Sequence, residues 1–509
     1  MQSGRLPRER PARLPRRPGR ELRRPAPTTL AVLALSASLA LAACTTPNPD
    51  PATPTASRPD ASPRGAHPES VRRPRAEVAG RIAPATADVP DGRLEALFAR
   101  ARTLVERESD TDLSAVRLRL VDDAAILVEV DLETRRLVRG QLGDSPLSER
   151  LLARLVQGQS GTYAALYAGR DRTVLVSREV LGAYLGSLPP SRAVRDEALL
   201  VLLLHELVHA ADDLRHGVHA NRALDFRASF AQSATFEGHA QWLTRTICRR
   251  EGCLGGLDAL DAFMFDAPDE PGAAAGSMVD RDLLEYSYVE GERFVAALAA
   301  RPGGDALIER LLADPPHDPL QILDPSSYPD EAREAANRVL LAAALDVEHP
   351  WLSGPAARVP IATSPLKGVN LRRDPARRAA AVDGFTRLVT AMVAVQFHDP
   401  EERARDPIEV TLIRTDRAAT ARLFADALHA HARPAGARAA EGVELSPGAR
   451  RAALRRSVVP ADGDGPDWHT VIATAGPFVV QAGGRAASPV PMEDYVLAVL
   501  DALRAADPA

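Results

Sequence analysis

Lysine is nearly absent from this 509-residue chain: Lys367 stands alone among 63 basic residues, and the others are arginine. That bias matches a GC-rich coding sequence, not selection for nucleic-acid contacts. The charge agrees. Nine arginines against Glu9 and Glu21 give residues 1–43 a charge of +7, so a chain of formal charge −5 becomes −12 without them. So acidic a protein is a poor partner for polyanions, and nucleic acid is excluded as a ligand. Cysteine is scarce as well, with Cys44, Cys248 and Cys253 the only three. A cysteine-built zinc site needs more ligands at tight spacing than these offer. The apolar run Leu30–Ala43 falls short of the roughly 20 residues that span a bilayer, which argues against a retained transmembrane helix. No internal repeat of fixed period is present.

What the N-terminus does have is an arginine-rich stretch, that short apolar run and then a cysteine, the layout of a secretory signal. Leu41-Ala42-Ala43-Cys44 resembles a bacterial lipobox, which implies a signal peptide over 1–43, lipid on Cys44 and a membrane-anchored protein of the cell envelope. Thr45 after the cysteine favours the outer membrane by the same analogy. Once Cys44 is assigned to lipid, Cys248 and Cys253 form an even pair in an oxidising compartment, and a disulfide closing a short loop is expected. Residues 44–91 carry ten prolines among small and polar residues. Such a composition buries no core and predicts a flexible tether.

Helical spacing of Leu94, Leu97, Phe98, Ala101, Leu104 and Val105 opens the folded part. Alternation predicts strands at Val116–Leu120 and Ile126–Val130, a helix follows near Ser148–Val156, and Tyr163–Tyr167 with Thr173–Ser177 predicts a hairpin. A long helix from about Ser191, apolar on nearly every face through Ala198–Leu204, belongs in the middle of a domain. Further helices are expected at 227–249, 283–300 and 305–313. Gly, Pro and weak periodicity place a boundary over 350–375. Strands at 388–397 and 409–413, a helix at 417–429, a hairpin around Gly476-Pro477 and a closing helix at 493–503 make residues 376–509 a small α+β domain with no catalytic constellation.

The chemistry lies at His205-Glu206-Leu207-Val208-His209. On a helix the i, i+4 spacing puts both imidazoles on one face, within reach of one Zn²⁺ at about 2.0–2.1 Å. Glu206, beside the first ligand, is placed to take a proton from water that the metal acidifies. A catalytic zinc needs a third ligand and an open position. No third histidine extends the pattern, because position 212 is aspartate and position 215 arginine. Glu237, in Ala234-Thr235-Phe236-Glu237-Gly238-His239-Ala240 on a second helix, is the expected third ligand, with His239 its rival and Gly238 permitting close helix approach. His216 and His219 read as loop histidines.

In these segments the chain resembles bacterial gluzincin-type metallopeptidases, whose pattern runs HELxHAxxDQ, EGxA, PYxxG and then PP…QIL…P…Y. Matching residues are His205 to Ala210 with Asp213, Glu237 to Ala240, Tyr288 to Gly291, Pro315-Pro316, and Gln321 to Pro325 with Tyr328. Leu214, Ser287 and Asp324 depart from it, and none of them is a ligand or the base. The resemblance implies an α+β gluzincin-like catalytic domain over 92–350 and a zinc metallopeptidase acting on peptides or proteins. Asp213, one turn beyond His209, can accept the other ring proton of a ligand histidine. Tyr288 is the expected donor to the oxyanion. The strand Thr173–Ser177 is the expected edge for an extended peptide. An inactive zinc-binding lipoprotein serving envelope assembly is the rival reading.

Overall fold

The computed structural model describes residues 91–157, 163–219, 226–265, 284–353, 359–363, 387–398, 408–431, 438–439, 453–459, 467–485 and 490–506. The expected signal peptide, most of the tether and Cys44 lie outside them. No described helix is long and apolar enough to cross a membrane.

Helix α1 (Asp91–Ser109) packs its predicted apolar face on the central helix and leads into β1 (Arg117–Val121). The next segment corrects the strand expected at Ile126–Val130: it is helix α2 (Asp123–Leu142), started by the Asp122 side chain accepting from the Ala125 N–H. Its buried residues Ile126, Val130, Thr134, Leu137 and Val138 follow helical spacing. Val128, which completed the alternating pattern, is 56% exposed. With that residue in solvent the period is 3.6, not 2.

Helix α3 (Pro146–Gln157) precedes β2 (Ala165–Ala168) and β3 (Thr173–Ser177), joined by a short 3₁₀ turn, Gly169–Asp171. Strand order is β1-β3-β2, with β3 parallel to β1 and antiparallel to β2. Thr173–Ser177 is therefore the middle strand, not the edge. Its five residues are all buried, which the apolar run Val174-Leu175-Val176 reports more directly than edge position. Among the described residues β2 is the edge strand on the side of the HExxH helix.

Helix α4 (Arg178–Ser187) leads to α5 (Arg192–His216), on which every residue from Ala198 to Val208 is buried. α5 ends on Gly217, in the left-handed region at φ 66°. Helix α6 (Phe226–Glu251) crosses it, and the Cys248–Cys253 disulfide ties the end of α6 to α7 (Leu254–Phe265). Then come a π-helical turn, Glu285–Glu290, running straight into α8 (Gly291–Ala299), α9 (Gly304–Ala313) and the short α10 (Pro319–Leu323).

Helices α11 (Glu331–Asp346) and α12 (Pro350–Ser353) precede an antiparallel seven-stranded sheet of order β4-β5-β6-β10-β9-β8-β7. Its strands are β4 (Val359–Thr363), β5 (Val389–His398), β6 (Ile408–Thr415), β7 (Arg438–Ala439), β8 (Ala453–Val459), β9 (Trp468–Ala475) and β10 (Phe478–Arg485). Helices α13 (Ala418–His431) and α14 (Val490–Ala506) complete it. One face, with Met392, Ile413, Ile472 and Val479, joins a core shared with α3, α6, α8, α9 and α10. The other, with Val393, Val410 and Val480, packs on α11 and α14. Strand β4 falls inside the stretch where a boundary was expected. Helix α11, upstream of that stretch, also belongs to the sheet: Arg333 donates to the Val389 carbonyl, and the Met392 N–H donates to Asn337.

Candidate metal centre

Three groups converge where α5 crosses α6. His205 Nε2 lies 3.1 Å from His209 Nε2 and 3.1 Å from Glu237 Oε2, and His209 Nε2 lies 3.2 Å from the same oxygen. Ligand atoms about 2.0–2.1 Å from a tetrahedral ion stand about 3.3–3.4 Å apart, so this triangle has the size of one face of such a shell. It is also a poor arrangement without a cation, since two imidazole nitrogens face each other beside a carboxylate. His205, His209 and Glu237 can hold a metal ion, and the donor set fits. His239, the rival, is turned away, its Nδ1 2.8 Å from Asp212 Oδ2 in a buried pair.

Without a metal the site holds its charge through protons. Burial alone would lower the His209 imidazole, but the Glu237 carboxylate, helped by Glu206 and Asp212, overrides it and pushes the ring up to about 9. Burial would raise Glu237, yet its contacts with His209 and His205 hold it well below the usual carboxylate range. Glu206 is raised by burial, against the pull of the two imidazoles. It is not in the ligand triangle. Its Oε2 accepts the Tyr167 N–H at 2.8 Å, which fixes the carboxylate between the edge strand and the metal ligands.

That N–H follows from the pairing of β2. The Ser177 N–H donates to the Ala164 carbonyl, and the register runs Ala165↔Val176, Leu166↔Leu175, Tyr167↔Val174. In an antiparallel pair hydrogen-bonded and non-bonded residues alternate, so Ala165 and Tyr167 turn their backbone groups to the free side. Glu206 takes one of them, and among the described residues the Ala165 N–H and the carbonyls of Ala165 and Tyr167 are left.

Glu237 owes its place to two glycines. A Cβ on Gly238 would stand 2.2 Å from the Gly291 carbonyl carbon, and one on Gly291 would stand 2.1 Å from the Ala234 oxygen. Helices α6 and α8 thus touch backbone to backbone. Immediately before Gly291 the π-helical turn carries Tyr288, stacked on His205 at 5.8 Å and 22°. Burial first, then the nearby Glu237 carboxylate, raises its hydroxyl well above the ordinary phenol value. Such turns recur at functional sites because one extra residue re-aims side chains. Here the turn brings Tyr288 onto His205, a candidate metal ligand. Tyr286, two residues earlier, donates instead to the Pro319 carbonyl at 2.8 Å.

Asp213, expected to accept the other ring proton of a candidate ligand histidine, has different partners. Its carboxylate accepts from the Tyr167 hydroxyl at 3.1 Å and from the His219 N–H at 2.8 Å, so it ties β2 to the loop after α5 and touches no ligand histidine. The Nδ1 of His205 is buried with no partner among the described residues. Cys248 and Cys253 are bonded, as expected. His317 is exposed and, like His239, does not line the cavity over the triangle.

That cavity is walled by Tyr163, Ala165, Leu166 and Tyr167 on one side and by Val218, His219, Ser233 and Phe236 on the other. His219 had no signal in the sequence beyond its residue type, because the loop that places it has no periodicity. No protein-family model, curated protein or solved structure matches this chain.

Proposed function

We propose that this chain is a zinc-dependent metallopeptidase with a gluzincin-like catalytic domain, cleaving peptide bonds at the cell envelope, where lipid on Cys44 would anchor it. The observation that carries the reading is the triangle of His205, His209 and Glu237 with a carboxylate, Glu206, beside it but outside it. A purely structural zinc has no use for an uncommitted base or an open position. Zinc, when bound, would supply a Lewis acid for the carbonyl oxygen and acidify a water.

The chain's own residues account for the rest. The free side of β2 can pair with an extended peptide through Ala165 and the Tyr167 carbonyl, laying one peptide bond across the ligand triangle. Glu206, oriented by the Tyr167 N–H, takes the proton of the attacking water and can return it to the leaving amine. Burial raises this carboxyl and so improves it as a base. Tyr288, stacked on His205, would donate to the developing oxyanion. A degenerate peptide library incubated with the zinc-loaded protein, with and without chelator, tests the reading. Chelator-sensitive cleavage is expected, and no cleavage in either arm would defeat it.

A further inference from the structure

Gly291 locks α8 against α6, but that contact alone does not aim the six residues before it. A π-helical turn holds one residue more than an α-helical one, and relaxing it would rotate Glu285–Glu290 by about 100° relative to α8. Tyr288 would then leave His205. Two contacts oppose this, one near each end of the turn, and both finish on α10. The Tyr286 hydroxyl donates to the carbonyl of Pro319, the first residue of α10, at 2.8 Å. Arg293 ties the other end: its Nε donates to Glu290 Oε2 at 2.7 Å and its Nη2 to the carbonyl of Leu323, the last residue of α10, at 3.0 Å. Tyr286 and Tyr288, two residues apart, leave the turn on different sides, so one grips α10 while the other lines the cavity.

α10 is itself held fast. All five of its residues are buried, and Asp318 caps it by accepting the Leu320 N–H at 3.1 Å. Gln321 donates to Glu334 of α11 at 3.0 Å and accepts the Asp330 N–H at 3.3 Å. α11 in turn is fixed to β5 through Arg333 and Asn337. The large sheet is thereby linked to the candidate site through two helices, although it supplies no residue to the cavity wall.

We propose that α10 is a brace for the reaction site, and that Tyr286, with Arg293 as the second tie, is a positioning residue that keeps Tyr288 stacked on His205. Neither touches substrate. The assignment rests on the peptidase reading, in which Tyr288 donates to the oxyanion, and Tyr286 acts only through it. Anchoring the brace is then what the C-terminal sheet does for the site.

Tyr286→Phe, Arg293→Gln, Tyr288→Phe and the two double variants that include Tyr288→Phe test this in the full mature chain. The ¹H–¹³C signal of the His205 ring, assigned by its loss in His205→Gln, reports the stacking in metal-free protein whether or not peptides are cleaved. Tyr286→Phe and Arg293→Gln should each move it toward its position in Tyr288→Leu. With zinc and the best peptide from the library, Tyr286→Phe should lower kcat about 10-fold with KM and zinc content nearly unchanged. In the Tyr288→Phe background the same change should cost less than about twofold, since a residue acting through the Tyr288 hydroxyl has nothing left to position. A merely structural role would lower the melting temperature, add in full to Tyr288→Phe and leave the His205 signal in place. An unmoved signal, full additivity or unchanged kcat in Tyr288→Phe would overturn the proposal while chelator-sensitive cleavage, and so the peptidase reading, stood. If no form cleaves peptide, the peptidase reading falls and the His205 signal alone decides whether α10 braces the turn. Should Tyr286→Phe melt early, Arg293→Gln, at a half-buried position, decides by the same two measurements.

Discussion

The contact between Gly238 and Gly291 makes a sharp prediction for Gly291→Ala. The new methyl would stand 2.1 Å from the Ala234 carbonyl oxygen, and 3.0 and 3.1 Å from Ala234 C and Gly238 Cα. Carbon–oxygen contacts settle near 3.3–3.6 Å, so α6 and α8 must part by about 1.2 Å. The obstacle is backbone, so no side chain can rotate aside. Overpacking costs typically about 1–3 kcal/mol, and the upper end applies here. Alanine's better helix propensity returns about 1 kcal/mol. A net loss of about 2 kcal/mol should appear in urea unfolding of the metal-free protein. The crossing also carries Tyr288 against Glu237, so zinc affinity should fall about 10–100-fold, as for other groups that orient a ligand. Gly186→Ala is the control. That glycine is exposed near the end of α4 with nothing within 4 Å of its added Cβ, and the change should stabilise by up to about 1 kcal/mol. If Gly291→Ala also stabilised the fold and kept full zinc affinity, the backbone crossing would be wrong.

Three further predictions concern the same centre and the anchor. Glu206→Gln should bind zinc at wild-type stoichiometry and lose turnover, since an amide cannot take a proton; peptide cleavage at the wild-type rate would exclude Glu206 as base. Because His209 is pushed up to about 9, zinc binding at pH 7 should release about one proton, and apparent affinity should rise about tenfold per pH unit until about pH 9. Calorimetry in buffers of different ionisation enthalpy measures that count, and a value of zero would reject the assignment. The sign for stability follows: a raised imidazole stabilises the metal-free fold fully below its ordinary 6.5 and loses that contribution as pH rises through about 9. Cys44→Ser should release the protein from membranes, whereas continued attachment after fractionation would point to another anchor.

The candidate ligands were legible because their geometry is local: four residues on one helix fix where His205 and His209 sit relative to each other. Glu237 needed the second helix, and Gly238 pointed to the close approach that brings it in. What escaped depends on distant partners. β3 read as an edge strand because a short apolar run carries no information about its neighbours, whereas β1 and β2 claim both sides. Asp213 and Asp212 are adjacent on α5, and spacing alone could not tell which faced a histidine; it is Asp212, and the histidine is His239. Tyr288 was found as a site residue, but the π-helical turn that carries it is announced by no residue pattern. Helix α11 was missed for a chemical reason. Its buried face includes Arg333 and Asn337, so an apolar stripe is broken where the helix serves the backbone of β5.

That attachment bears on the order in which the chain can be completed. Arg333 and Asn337 wait 56 and 55 residues for the β5 groups they bind. β5 itself pairs with β6, which pairs with β10, and α14 closes the last apolar face with Met492, Val496, Val499 and Leu503. A chain delivered N-terminus first therefore carries a finished HExxH helix long before its sheet can shut, with late-closing apolar surface exposed in the interval. Loss of the final seventeen-residue helix would leave that surface permanently open and the product prone to aggregate. Premature termination near residue 490 thus yields an aggregation-prone product, even though every residue of the candidate metal site has already been made.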